Sequence, residues 1–190
     1  EDRVGDADTY VCYPTDWTQL SNTPYRYFKR TPMAGGIRVP LIMHWPRHIT
    51  EPGSLRSQWV HVTDLLPTVM DFAGGRMPEQ FNGHATRPFD GRSFAHLVND
   101  AGASPVRDRQ YYELQGSRAY ISGSWKVVSL QTPDKAIDLD NWMLFNLADD
   151  PAEIHDLALT EPERLRQMVD EFEAEAGVNH VYPIDTRDER

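Results

Sequence analysis

Lys29-Arg30-Thr31-Pro32-Met33-Ala34-Gly35-Gly36-Ile37-Arg38-Val39-Pro40 is the stretch on which the fold turns. A cation precedes a double glycine, and the double glycine opens an apolar run from Gly36 to Trp45. Such a run suits a strand covered on both faces. Pro40 belongs at its entry or at a bulge, because proline cannot donate to a ladder. A turn follows from Pro46 to Gly53, then a short extended piece from Trp59 to Val62. Asp64 reads as a helix N-cap with Pro67 in the first turn, where no N–H is needed. Leu65, Val69, Phe72 and Ala73 fall on one face, and Gly74-Gly75 ends the helix. Strand and helix together read as a closing unit of an α/β domain.

Outward from this unit the patterning changes. Residues 1–20 are acidic, polar and without period, and read as an irregular segment. Residues 76–92 read as a long loop, Gly91 to Val98 as a short helix, and Ala101 to Arg107 as a boundary. Strand candidates follow at Gln110–Leu114, Ser117–Ile121, Ser124–Leu130 and Trp142–Leu147, with Ser122-Gly123 as a two-residue turn. Asp134 to Asn141 is a polar loop. Thr160-Glu161-Pro162-Glu163 has the form of a capping box. Leu165, Met168, Val169, Phe172 and Ala176 then recur at helical spacing until Gly177, and this stripe is expected to pack on the sheet, over Trp125 and Trp142. The expected organisation is an irregular segment 1–20, an α/β portion 21–100, and a small domain 101–190 of antiparallel sheet plus helix.

Composition bounds the function. With 190 residues the chain can bury a core, and 25% charged residues is ordinary for a folded protein. A formal net charge of −10 disfavours a nucleic-acid partner, which wants clustered Lys and Arg. No apolar run reaches the length of a membrane span, and residues 1–20 lack the apolar region of a signal peptide. A single cysteine, Cys12, excludes an internal disulfide and a multi-cysteine zinc site. The compartment stays open among cytoplasmic, periplasmic and secreted.

Further motifs stand in register with the opening stretch: Trp45-Pro46, Pro52-Gly53, His61-Val62-Thr63-Asp64-Leu65-Leu66-Pro67-Thr68, Asp71-Phe72-Ala73-Gly74, Gly123-Ser124-Trp125-Lys126-Val127-Val128, Leu144-Phe145-Asn146-Leu147 and Asp150-Pro151-Ala152-Glu153. In order and spacing, from roughly Ser21 to Pro183, the chain resembles the C-terminal part of type I sulfatases (arylsulfatases), of the alkaline-phosphatase-like superfamily. The resemblance implies hydrolysis of sulfate monoesters. In it a formylglycine hydrate attacks sulfur, a bound Ca²⁺ neutralises the sulfate oxygens, and collapse of the hemiacetal releases sulfate. It also implies that formylglycine and Ca²⁺ come from outside this chain. Cys12-Tyr13-Pro14-Thr15-Asp16 has Asp16 where the nucleophile motif has arginine, and the family's Asp-Asp and Asp-Asn metal pairs are not here. The implied partners are the N-terminal remainder of the enzyme and a small sulfate ester, and the chain alone is expected to be inactive. Two alternatives remain open: a phosphonate or phosphate monoester hydrolase of the same superfamily, and a non-catalytic binding module.

Lys29 is the one catalytic candidate. As residues alone, a lysine before a strand is surface decoration. The resemblance gives it contact with the sulfate or the leaving group, where an ammonium with three donors meets growing negative charge. Arg38 in a buried strand would need an acidic partner, and Arg30 is expected to face solvent. His61 and Asp64 read as a hydrogen-bonded histidine and a cap, since no further metal ligands stand near. His44 and His48 cannot form a helical ligand pair across Pro46. Asp149, Asp150, Glu153 and Asp156, with Asp138 and Asp140 upstream, read as a solvated acidic turn.

Overall fold

The structure, a computed structural model, describes residues 6–7, 13–132 and 135–185. Cys12 and most of residues 1–12 lie outside the described residues. The chain divides into two compact units, one of residues 1–40 and 109–190, the other of residues 41–108.

In the first unit four strands form an antiparallel meander: β3 (Arg109–Leu114), β4 (Ser117–Ser122), β5 (Trp125–Ser129) and β6 (Met143–Asn146). β5 is buried nearly throughout, because both faces of the sheet are covered there. Two-residue turns set its register. Leu114 pairs with Ser117 around Gln115-Gly116, both at positive φ. Ser122 pairs with Trp125 around Gly123-Ser124, so the turn lies one residue beyond the expected Ser122-Gly123. Across the strands Tyr120, Val127 and Leu144 stand in one row. That row is covered by the long helix α4 (Pro162–Val178). Met168, Phe172 and Ala176 are buried from it, Leu165 and Val169 pack beside them, and Trp142 meets the Phe172 ring edge-on at 5.2 Å. Trp125 packs against the same cluster, with Arg164 stacked over its ring. The opposite face of the sheet carries Ala119, Val128 and Phe145, closed by Met33.

Both ends of α4 differ from the expected form. Glu161 is the N-cap, with Pro162 first in the helix, while the Thr160 hydroxyl donates to the Leu157 carbonyl instead of closing a capping box. Gly177 lies inside the helix, and Asn179 caps it, donating from its side chain to the Glu175 carbonyl.

Three local expectations upstream are also corrected. Residues 15–21 form helix α1 (Thr15–Ser21), not loop; Pro14 precedes it and the Thr18 hydroxyl donates back to the Pro14 carbonyl. Ala34–Ile37 is the short helix α2, and residues 38–45 carry no assigned secondary structure. The expected strand from Gly36 to Trp45 therefore has no ladder, and Val39 and Ile42 are exposed. Arg38 is exposed as well, its guanidinium 4.7 Å from the Tyr25 ring centroid, with no acidic partner among the described residues.

The second unit is built around helix α3 (Leu65–Phe72), entered through a 3₁₀ turn Val62–Asp64 and left through Gly74 at φ +64°. Within residues 76–92 a small hairpin forms, β1 (Gln80–Phe81) with β2 (His84–Ala85), because Asn82-Gly83 supplies two positive φ values. The helix expected from Gly91 to Val98 is a 3₁₀ turn over Ala95–Leu97. The face of α3 expected to be buried is not: Leu65, Val69 and Ala73 are exposed, Phe72 is half-buried, and Thr68 is the buried residue of the helix.

Candidate functional site

Lys29 lies on an exposed turn whose backbone is bent on both sides: Tyr27 has φ +63° and Arg30 φ +74°. Left-handed backbone at two non-glycine residues costs energy and persists only where the surroundings impose it. Several contacts impose it here. From α1, the Gln19 side chain accepts from the Tyr27 amide at 2.9 Å and donates to the Tyr25 carbonyl at 3.1 Å. Asn22 donates from one amide nitrogen to the Tyr27 carbonyl (2.9 Å) and the Gly35 carbonyl (3.0 Å). The Gly35 amide donates to the Arg26 carbonyl (2.9 Å), and the Thr31 hydroxyl to the Phe28 carbonyl (2.9 Å). The double glycine is required by close approach. A Cβ at Gly35 would run into the Tyr27 and Arg26 carbonyls, and one at Gly36 into the Thr31 and Phe28 carbonyls. Residues 26–31 thus fold over Gly35-Gly36 and raise Lys29 toward solvent. Arg30 next to it donates to the Gln115 side chain of the β3–β4 turn at 2.6 Å.

Under this turn lies a charged pair that the sequence reading missed. Glu153, expected in a solvated turn, is fully buried. One of its carboxylate oxygens accepts from Lys126 Nζ at 2.5 Å, the other from the Ala34 amide at 2.8 Å. Its carbonyl accepts from the Arg26 guanidinium at 2.6 Å. Lys126 is itself 1% exposed. Burial pushes its ammonium below the ordinary lysine range, and the Glu153 charge and hydrogen bond oppose that shift. The signal for it was present: Lys126 sits amid the apolar β5, on the face opposite the Val127 row, where a cation needs a partner.

Three other acids of this cluster accept from nearby amides. Asp150 accepts from the Ile154 and His155 amides, Asp156 from the Leu144 and Ala158 amides, and Asp149 from the Asn146 side chain. Among the described residues no three His, Cys, Asp or Glu side chains converge to hold a metal ion. With oxygens committed to amides, these residues are not a fitting ligand set for a Ca²⁺ ion.

The second unit holds a polar centre at Asp64, which is fully buried. Arg107 grips both carboxylate oxygens, and the His61 and Arg92 amides donate to them at 2.8 Å each. Asp64 precedes α3 but makes no side-chain cap to it; it closes the preceding 3₁₀ turn, where the His61 ring accepts from the Thr63 amide. Burial, then the Arg107 charge, lowers the His61 pKa against the pull of Asp64. His44 and His48 do not converge with it; His48 stacks on Trp45 at 3.8 Å.

Comparison with known proteins places this arrangement. Residues 24–177 match the family model described as N-sulphoglucosamine sulphohydrolase, C-terminal. An uncharacterized sulfatase of Schizosaccharomyces pombe is 29% identical over 182 residues, covering 93% of this chain and 32% of that protein. Arylsulfatase K of Xenopus laevis is 29% identical over 187 residues, covering 92% and 33%. The crystal structure of Ps i-CgsB superposes with a TM-score of 0.62 at 25% identity, covering 87% of this chain and 35% of that one. The chain spans about a third of the length of the curated relatives it matches. The family match covers most of the chain, including the Lys29 turn and the four-stranded sheet with α4, and on that ground the chain belongs to the C-terminal family of the N-sulphoglucosamine sulphohydrolases, within the sulfatases.

Proposed function

We propose that this chain is the C-terminal part of an enzyme that hydrolyses sulfate monoesters, and that Lys29 contacts the sulfate or its leaving oxygen there. The observation that carries the reading is the Lys29 turn: an exposed ammonium on two left-handed residues, folded over a glycine pair that admits no side chain. A sulfate ester gathers negative charge on its bridging oxygen as the S–O bond breaks. A fixed ammonium aimed at that oxygen favours the transition state over the ground state. The nucleophile, read as formylglycine, and the Ca²⁺ belong to the N-terminal remainder in this proposal. Residues 21–100 would complete the large domain and residues 101–190 form the small one.

The partner proposed for the chain is that remainder. Val39, Leu41 and Ile42 are exposed apolar residues in a stretch with the composition of a buried strand, and a neighbouring strand would satisfy its backbone groups. No helix among the described residues is long and apolar enough to cross a membrane, and the net charge of −10 argues against nucleic acid. Sulfated saccharides are the substrate class to try first, since Ps i-CgsB has also been solved in complex with k-i-k-neocarrahexaose.

The test is turnover by the full-length protein of an aryl sulfate, the matching aryl phosphate and an aryl phosphonate, beside the isolated chain. The sulfate should be the best substrate and the isolated chain should be silent. A preference for phosphate or phosphonate would make the protein a hydrolase of those esters. No turnover of any ester by the full-length protein would leave a binding module.

A further inference from the structure

We propose that Glu153, with Lys126 as its buried counter-ion, is a positioning residue for Lys29. The inference rests on the reading of Lys29 given above. One carboxylate joins three pieces of chain that are distant in sequence. It takes the Lys126 ammonium from the middle of β5 and the Ala34 amide from the first residue of α2, while the Glu153 carbonyl takes the Arg26 guanidinium. Ala34 opens α2, so its amide has no partner within the helix and would otherwise be an orphan in a buried place. Arg26 and Ala34 bracket the Lys29 turn, and both are tied to Glu153. Directly after Ala34, Gly35 and Gly36 lie against the carbonyls of residues 26, 27, 28 and 31 so closely that no methyl group fits. A displacement of Ala34 therefore has no slack to take it up before it reaches Lys29.

A buried ion pair is weak support for stability alone, since well-packed apolar side chains of similar volume often serve as well or better. What apolar side chains cannot supply is an acceptor for the Ala34 amide. Loss of that acceptor should therefore act on geometry at Lys29 more than on folding.

The experiment uses the full-length protein. Lys126→Met with Glu153→Leu removes both charges and the acceptor. Lys126→Met with Glu153→Gln removes the charges but keeps a carbonyl oxygen for Ala34. Phe172→Leu, in the α4 core away from the turn, serves as a stability control. The Leu pair should melt near wild type yet lose about 10- to 100-fold in kcat with little change in KM, the scale expected for a misplaced catalytic group. The Gln pair should recover most of that loss. In a Lys29→Ala background neither pair should cost further activity. Hydrogen exchange of the amides from residues 27 to 36 should speed up in the Leu pair and not in Phe172→Leu. Unchanged kcat with unchanged exchange would overturn the proposal, and so would an equal loss in the Lys29→Ala background. If Lys29→Ala itself leaves activity intact, the role given to Lys29 fails, and slow exchange in the Leu pair would then overturn the positioning role separately.

Discussion

Around β4 and β5 the side chains hidden from water are mostly apolar, Tyr120, Val127, Leu144, Phe145 and Phe172, with Arg118 and the Lys126–Glu153 pair among them; around α3 the Asp64 carboxylate and the Thr68 hydroxyl are hidden beside Phe94 and Leu97, while Leu66, Val69 and Ile42 face solvent. The first unit folds about apolar area, with a helix on one face of its sheet and Met33 on the other. The second sets a smaller apolar group, Phe94 and Leu97, beside a carboxylate that takes two backbone amides and an arginine. Burying a large apolar side chain is worth roughly 1.5–3 kcal/mol. A buried polar centre gives little net stability but fixes geometry, and it is costly to break in part. The difference teaches which unit can stand by itself. The sheet and α4 close over Tyr120, Val127, Leu144, Met168 and Phe172, whereas the residue 41–108 unit buries Phe94 and Leu97 and relies on its polar centre.

The strongest test of the contrast lies in the two centres. Phe172→Ala should cost about 3–5 kcal/mol and lower the melting point by many degrees, with Asp170→Ala on the exposed side of α4 close to neutral. Equal effects of the two would mean that α4 is not docked through its Phe172 face. In the other unit, Arg107→Ala strands a buried carboxylate and should cost roughly 3–5 kcal/mol in local unfolding, while the paired change Asp64→Asn with Arg107→Met should cost clearly less. If the pair costs as much as the single change, the centre is not governed by uncompensated charge. Hydrogen exchange resolves which unit opens in each case.

Smaller and pH-dependent is the effect of His61. Its pKa is lowered in the folded chain, so below about 6.5 the unfolded chain takes up the proton more readily than the folded one. The stability of the 41–108 unit should therefore be flat above neutral pH and decline as pH falls through that range. In His61→Gln this decline should be weaker. An identical pH profile for the variant would assign the decline to other groups.

Much of this was legible in the residues. The four strands, the α4 stripe and the Gly74 stop follow from periodicity and turn chemistry, and the sulfatase resemblance follows from motifs in register. Elsewhere tertiary context decided. The Gly36–Trp45 run has strand composition but finds no neighbouring strand among the described residues, so no ladder forms there. Glu153 looked like one more acid in a polar turn. Only the fold shows that Asp150 and Asp156 spend their oxygens on nearby amides while Glu153 turns inward to a lysine 27 positions earlier. The Asn82-Gly83 hairpin and the Pro14-led helix α1 were signalled locally, but short elements in polar sequence carry little periodicity to confirm them.

In the proposed enzyme the Lys29 turn presents a catalytic ammonium. That role is tested most directly by kcat/KM of the full-length protein on an aryl sulfate for wild type, Lys29→Ala and Arg30→Ala, with melting curves beside them. Loss of one preorganised charge donor of this kind typically costs ~10²–10³ in rate, or roughly 3–4 kcal/mol. That loss is expected for Lys29→Ala with an unchanged melting point, together with poor rescue by Lys29→Arg because the guanidinium is wider and planar, and a much smaller effect of Arg30→Ala. Near-normal kcat/KM in Lys29→Ala would contradict it.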